Sequence, residues 1–130
     1  MNLAKSWFTV AFPEFWLFFL GLLFIDDEVM TGMGRTGKWF AVEHWEINPD
    51  IMVMGKGMSG GYFPLSAVIT GKEVADGLKE KGGGFVHGHT FSHHPVACAV
   101  GLAVIRYIQR NNLVEQCQER GAYLLRKLHE

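Results

Sequence analysis

The sequence has few cysteines, few prolines and no excess of charge of either sign. Its two cysteines, Cys98 and Cys117, form no Cys-x-x-Cys pair, so neither a disulfide framework nor a cysteine zinc site is indicated, and a reducing, cytoplasmic location is expected. The 12 Lys and Arg against 13 Asp and Glu give a net charge of −1, which argues against nucleic-acid binding. A hydrophobic share of 48% with only 19% charged residues excludes intrinsic disorder.

A long uninterrupted apolar run is also missing, although the first quarter of the chain is rich in aromatic residues. Pro13 and Glu14 divide this apolar stretch. The part that follows them, residues 15–25, is too short to span a hydrocarbon core of about 30 Å. A membrane span is therefore not expected, and we predict that residues 22–25 form a buried strand.

Short apolar runs separated by glycine-rich loops predict an α/β protein. Three of these runs, at residues 22–25, Ile51–Met54 and 67–69, are continuous in sequence and do not alternate with polar residues. Continuous runs are typical of strands that are covered on both faces in a parallel sheet. Seven of the 16 glycines lie between these runs, where they predict tight turns.

Three helices are expected in the second half of the chain. The first covers residues 72–81 and ends at a run of three glycines. The second has Pro95 in its first turn and ends at about residue 109. The third starts after Asn112, whose side chain is expected to cap it, with Glu115 three residues on. The expected apolar face of this last helix consists of Leu113, Cys117, Gly121, Leu124 and Leu128.

Two stretches, residues 32–37 and 55–60, match the G-x-G-x-x-G pattern that binds the pyrophosphate of dinucleotides. The pattern occurs twice in one short chain, and the first copy is followed by no recognisable helix start. It is therefore weak evidence for a dinucleotide site. Each copy alone is typical of turns in which glycine adopts a positive φ.

Together with several other motifs, these glycine stretches resemble the class III aminotransferases. The resemblance is ordered along the chain and covers about 105 residues from Phe24 onward. It rests on DEVMTGMGRTGK at 27–38, EHW at 43–45, PDI at 49–51, GKGMSGGYFPL at 55–65, HGHTFS at 87–92 and PVACA at 95–99. It implies a fold-type I α/β large domain, with a mostly parallel sheet and flanking helices. It also implies transamination between an amine or ω-amino acid and a 2-keto acid, with pyridoxal 5'-phosphate as cofactor.

The same resemblance assigns roles to residues of the first two motifs. Lys56 matches the lysine that forms the Schiff base, and the freed amine can then move a proton on the substrate. Asp27 matches the carboxylate that pairs with the pyridine nitrogen, and Val29 matches the residue that packs on the ring. Asp26 is a rival to Asp27, but adjacent strand residues point to opposite faces, so only one of them can face the ring.

Thr90 matches the hydroxyl residue that, in this family, reaches the cofactor phosphate from the neighbouring subunit. The resemblance therefore implies a homodimer. Four imidazoles nearby, from His87, His89, His93 and His94, raise the alternative of a zinc site. Because this stretch contains no carboxylate or thiolate, we expect no metal there.

The resemblance divides the chain into three parts. Residues 1–23 are an atypical apolar segment, residues 24–110 are part of a cofactor-binding large domain, and residues 111–130 are a helix that leads toward a small domain. We expect a truncated piece without independent activity, and attribute residues 1–21 to a wrongly placed start or a shifted reading frame. The alternative is a non-catalytic remnant that associates with a membrane through residues 15–25.

Overall fold

The computed structural model of the chain describes residues 20–82 and 86–130. Within these ranges, three short strands form one sheet in the order β1-β2-β3. The strands are β1 (Ile25–Asp27), β2 (Ile51–Met54) and β3 (Ala67–Thr70). β1 and β2 are parallel, whereas β2 and β3 are antiparallel. This small mixed sheet with flanking helices confirms the predicted α/β class.

The antiparallel pair departs from the mostly parallel sheet that the apolar runs predict. A parallel neighbour needs a crossover connection, usually one with an α-helix. Residues 55–66 instead contain one short 3₁₀ helix, η2 (Lys56–Ser59), and the chain turns back on itself. The expected cover on both faces is also incomplete in the described part of the chain, because Val68 and Ile69 of β3 are more than half exposed.

The first strand begins later in the sequence than predicted. Parallel pairing with β2 fixes its position, so that it ends on two aspartates and not on the apolar run. Leu22 and Leu23 lie before the strand and are 55% and 57% exposed. The prediction of a buried strand at residues 22–25 is therefore wrong. Hydrogen bonding to the neighbouring strand decides its position, and local hydrophobicity does not.

Three α-helices follow the sheet. They are α1 (Lys72–Gly82), α2 (Pro95–Arg110) and α3 (Leu113–His129). These bounds confirm the predicted helices to within about one residue, and Pro95 occupies the first turn of α2 as expected. Asn112 precedes α3, but its φ of 50° is left-handed and its side chain makes no cap hydrogen bond. The predicted side-chain cap is wrong, because such capping depends on an extended backbone.

Helix α2 packs against η2, the short helix that begins at Lys56. Ala97 and Gly101 are the buried residues of α2. A Cβ atom at Gly101 would lie 2.7 Å from Cδ2 of Leu65, so the missing side chain lets the helix approach the loop closely. This contact supports the segment that carries Lys56.

The apolar face predicted for α3 is covered only in its first half. Leu113 and Cys117 are half-buried, whereas Leu124 and Leu128 are 58% and 74% exposed. The buried residue of the helix is Val114, which the predicted face does not include. Among the described residues, none of the helices is both long and apolar enough to cross a membrane. Most of the atypical segment, residues 1–23, lies outside the described residues.

Candidate active site

Strands β1 and β2 end at the same edge of the sheet. Asp27 is the last residue of β1 and lies opposite Val53. The N–H of Glu28 donates to the carbonyl oxygen of Val53 at 2.9 Å, which extends the pairing by one residue. Lys56 follows the end of β2 after a single glycine. Because the strands are parallel, their carboxyl ends place Asp27 and Lys56 at one edge, where α/β proteins bind ligands.

The backbone of Lys56 is left-handed. Its φ is 40°, a conformation that costs a residue with a Cβ atom about 1–2 kcal/mol. The turn is held by the N–H of Met58, which donates to the carbonyl oxygen of Gly55 at 2.9 Å, and it ends at Gly60, whose φ is 59°. Lys56 is exposed. A strained backbone at an exposed lysine agrees with a functional role for this position.

Val29 lies against the residue that precedes Lys56. A Cβ atom at Gly55 would be 3.6 Å from Cγ1 of Val29, which is ordinary van der Waals contact. The structure therefore brings together three of the predicted site residues, Asp27, Val29 and Lys56, at the carboxyl edge of the β1–β2 pair.

The first glycine stretch, residues 32–37, forms a turn that we call the glycine turn. The φ angles of Gly34 and Gly37 are 90° and 83°, which confirms the predicted positive values at these two positions. Gly32 does not have a positive φ; a Cβ atom there would lie 2.8 Å from the carbonyl oxygen of Glu28. The turn leads into a 3₁₀ helix, η1 (Ala41–Trp45), and not into an α-helix that could bind a pyrophosphate.

The two adjacent aspartates have different surroundings. Asp27 is exposed, and its Oδ1 accepts the N–H of Val29 at 3.0 Å. Oδ2 of Asp26 is buried and has no hydrogen-bond partner. Burial raises the pKa of Asp26 above its ordinary value of 3.8, and the negative charges of Glu28 and Asp27 raise it further. Asp27 is thus the aspartate that is open to a ligand.

We expect the Asp26→Asn variant to be more stable than the wild-type chain at neutral pH. An acid with a raised pKa in the folded state stabilises the fold most below its ordinary pKa, here 3.8, and this contribution is lost as the pH rises through the raised value. Asparagine has no charge to bury and avoids this loss. Thermal unfolding followed by circular dichroism from about pH 3 to about pH 8 measures the difference.

The matched control is Glu119→Gln, which removes an exposed charge from α3. The gain of Asp26→Asn over wild type should grow with pH, whereas that of the control should stay nearly constant. A gain for Asp26→Asn that does not change with pH would contradict the assignment.

Thr90 and the histidines lie in the segment before α2. Thr90 is exposed, at the start of a turn in which the N–H of His89 donates to Oγ of Ser92 at 2.9 Å. The imidazole of His94 stacks on the ring of Phe63 with centroids 5.2 Å apart, a contact that the sequence does not reveal. Thr90 therefore occupies a separate turn, and the structure does not join it to the three edge residues.

The four histidines do not form a metal site in the described ranges. Within residues 20–82 and 86–130, no three side chains of His, Cys, Asp or Glu are grouped so that they could hold a metal ion. His87 and His89 do meet, with ring centroids 4.8 Å apart in an edge-on arrangement.

Glu28 is the residue at this edge that sequence reasoning misses. It is only 2% exposed, the least exposed large side chain of the described chain. Its Oε1 accepts the N–H of Val42 at 2.9 Å, and its Oε2 accepts the hydroxyl of Thr31. Nothing in the local sequence marks a glutamate between an aspartate and a valine as buried, because one of its partners, Val42, lies in η1, 14 residues later.

An apolar groove lies between the glycine turn, η2, α2 and α3. Its volume is about 740 Å³. The residues at its rim include Met33, Arg35, Tyr62, Tyr107 and Cys117. Neither Asp27 nor Lys56 lines it. We place the candidate site at the sheet edge because the groove offers few polar groups for chemistry.

Comparison of the sequence with known protein families identifies the class to which the chain belongs. The family model described as aminotransferase class-III matches residues 20–130. The chain belongs to the class III aminotransferases, which confirms the resemblance of its motifs.

Individual relatives agree with the family. The chain is 44% identical to an uncharacterized aminotransferase, YodT, from Bacillus subtilis over 109 residues, which are 84% of this chain and 24% of the relative. It is 42% identical to the putrescine–pyruvate aminotransferase of Pseudomonas aeruginosa over 106 residues, 82% of this chain and 23% of that protein. The crystal structure of an S-selective transaminase from Arthrobacter sp. with alanine bound has a TM-score of 0.84 and 40% identity, covering 89% of this chain and 25% of that one. The chain spans about a quarter of the length of the proteins it matches.

Proposed function

We propose that this chain is the cofactor-binding part of a pyridoxal-phosphate-dependent transaminase that moves an amino group between an amine or ω-amino acid and a 2-keto acid. The observation that carries the proposal is the meeting of Asp27, Val29 and Lys56 at one sheet edge, in a class III chain. The putrescine–pyruvate relative supports the substrate class, since putrescine is a diamine and pyruvate a 2-keto acid.

The edge residues fit pyridoxal 5'-phosphate. That cofactor has an aldehyde, a ring nitrogen, two ring faces and a phosphate, and when bound it withdraws electrons from the carbon that carries the amino group. Lys56 presents an exposed amine suited to the aldehyde, and Asp27 presents an exposed carboxylate suited to the ring nitrogen. Val29, two residues after Asp27, offers a branched apolar surface for a ring face.

Each residue then has a defined task. Lys56 would hold the cofactor covalently and, when a substrate amine replaces it, move a proton at the substrate carbon. Asp27 would keep the ring nitrogen protonated. The N–H of Val29, which donates to Oδ1 of Asp27 at 3.0 Å, fixes the direction of that carboxylate. Thr90 would bind the phosphate held by the neighbouring subunit, so a homodimer is part of the proposal.

The proposal extends to the organisation of the whole protein. Residues 24–110 would belong to the large domain that binds the cofactor, and residues 111–130 would lead toward a small domain. We place the protein in the cytoplasm, with small-molecule amines and keto acids as its substrates.

The proposal predicts that pyridoxal phosphate is captured selectively at Lys56. The full chain is incubated with the cofactor and reduced with borohydride, and the modified lysines are mapped by peptide mass spectrometry. We expect capture at Lys56 to exceed capture at Lys72 by about tenfold or more, a preference worth roughly 1.4 kcal/mol. A positioned acid and a ring contact favour Lys56, although both lysines are exposed.

The unfolded chain and the Asp27→Ala variant provide the controls for this experiment. In denaturant the preference for Lys56 should disappear, because the sheet edge no longer exists. The Asp27→Ala variant should reduce capture at Lys56 and leave capture at Lys72 unchanged. Equal capture at Lys56 and Lys72 in the folded chain would mean that exposure alone decides the reaction, and would contradict the proposed function.

A further inference from the structure

The carboxylate of Glu28 is buried at the candidate site but is not available for chemistry. The side chain is 2% exposed, and both of its oxygens already accept hydrogen bonds from Val42 and Thr31. A general acid or base must reach the atom whose proton it moves. A direct role for Glu28 in proton transfer is therefore excluded by its position.

The backbone of Glu28 is held as firmly as its side chain. Its N–H donates to the carbonyl oxygen of Val53 in β2 at 2.9 Å, and its carbonyl oxygen accepts the N–H of Gly32 at 3.0 Å. A Cβ atom at Gly32 would lie 2.8 Å from that carbonyl oxygen and 3.3 Å from Cβ of Glu28, so the turn closes directly over this residue. One residue thus joins β1, β2, the glycine turn and η1.

The two neighbours of Glu28 in sequence are the candidate-site residues Asp27 and Val29. Asp27 is exposed and Val29 is half-buried against Gly55. Adjacent residues at the end of a strand point in opposite directions, so the inward side chain of Glu28 turns Asp27 outward. Val29 lies in the turn that follows β1, and anchoring Glu28 fixes where that turn starts. The hydrogen bond from Val29 to Asp27 spans the anchored residue.

We propose that Glu28 is a positioning residue: its buried carboxylate ties Thr31, just before the glycine turn, and η1 to the end of β1, and thereby fixes the directions of Asp27 and Val29 at the sheet edge. The inference rests on the proposed function only for what those two residues bind. The contacts of Glu28 are formed by this chain alone and need no ligand.

The test compares Glu28→Ala with Glu28→Gln by residue-resolved amide hydrogen exchange of the full chain. Glutamine can accept the N–H of Val42 through its oxygen, and its amide can donate to the hydroxyl of Thr31, which rotates to accept. We expect Glu28→Ala to speed exchange at Val42 by about tenfold or more, because the acceptor of its N–H is lost. Exchange at Val29 should rise as well, because Asp27, whose carboxylate accepts that N–H, is no longer held in direction. Glu28→Gln should restore rates close to those of wild type.

The amides of β2 and β3 serve as internal references, and Glu43→Ala is the matched control. Glu43 also accepts a backbone N–H in η1, from Phe40 at 2.8 Å, but it is exposed. A purely structural role for Glu28 would speed exchange in β2 and β3 as much as at Val29. That result, or unchanged exchange at Val29 in Glu28→Ala, would overturn the inference.

A second experiment measures the effect of the Glu28 variants on the capture of pyridoxal phosphate. Under conditions in which all variants are folded, Glu28→Ala should lower the ratio of capture at Lys56 to capture at Lys72, and Glu28→Gln should restore it. An unchanged ratio in folded Glu28→Ala would also overturn the inference. If wild type itself shows no selective capture, the proposed function fails and the exchange measurement alone decides the role of Glu28.

Discussion

Replacing Lys56 by alanine is expected to abolish transamination, with a fall in kcat of about 10³-fold or more. The effect is large because one amine performs two tasks, covalent attachment of the cofactor and movement of the proton. Within residues 20–82 and 86–130, no other lysine follows a strand at this edge. The rate is measured in a chimera in which residues 20–130 replace the matching part of the Arthrobacter transaminase, whose fold this chain shares. Loss of alanine in the presence of a 2-keto acid reports amino transfer.

Lys72→Ala is the matched control for this loss. Lys72 begins α1, and its side chain is 88% exposed and paired only with Asp76 on the same helix. Its removal should change kcat by less than about twofold, since an exposed pair of this kind contributes at most about 1 kcal/mol to stability and nothing to the edge. A folded chimera that keeps its rate with alanine at position 56 would contradict the assignment. A folded chimera with Lys56 present and no rate would count against the proposed function itself.

The helices can be predicted from the sequence because residues close together in the chain determine where they begin and end. Helix α2 is recognisable because proline fits the first helical turn, and its end follows from the loss of apolar periodicity. The choice of Asp27 and Lys56 comes from the resemblance of their motifs, and the parallel pairing of β1 and β2 places both at one carboxyl edge. The position of β1 is not predictable in this way, since pairing with β2 fixes it and the preceding leucines remain exposed.

Contacts between distant segments are what the sequence does not reveal. The burial of Glu28 depends on Val42, and the close packing at Gly37 depends on Gln118, more than 80 positions away in the chain. Both glycine stretches follow one pattern, yet they serve different contacts: Gly55 accommodates Val29, and Gly37 accommodates a helix. The G-x-G-x-x-G pattern shows where the glycines are, but it does not show which segments of the folded chain pack against them.

Replacing Gly37 by alanine is expected to separate α3 from the glycine turn and to lower the free energy of unfolding by about 2–5 kcal/mol. The φ of Gly37 is 83°, which is unfavourable for a residue with a Cβ atom. That atom would also lie 2.8 Å from Cβ and 3.0 Å from Cα of Gln118, and a helix backbone cannot yield as a flexible side chain can. Thermal unfolding measures the loss, and the rate at which Cys117 reacts with a thiol reagent reports the separation, because its Sγ donates to the carbonyl oxygen of Arg35 at 3.3 Å.

Gly121→Ala makes the same chemical change on α3 where the space is open. A Cβ atom at Gly121 would meet nothing within 4 Å, so the substitution should raise the free energy of unfolding by about 0.5–1 kcal/mol through the better helix propensity of alanine. The exposed thiol of Cys98 is the internal reference for reactivity. Opposite signs for the two variants, with faster labelling of Cys117 only in Gly37→Ala, would show that α3 is held through the turn that follows Asp27. Equal changes in the free energy of unfolding for the two variants would mean instead that α3 does not pack against the glycine turn. The conformation of the glycine turn would then depend on β1 and η1 alone.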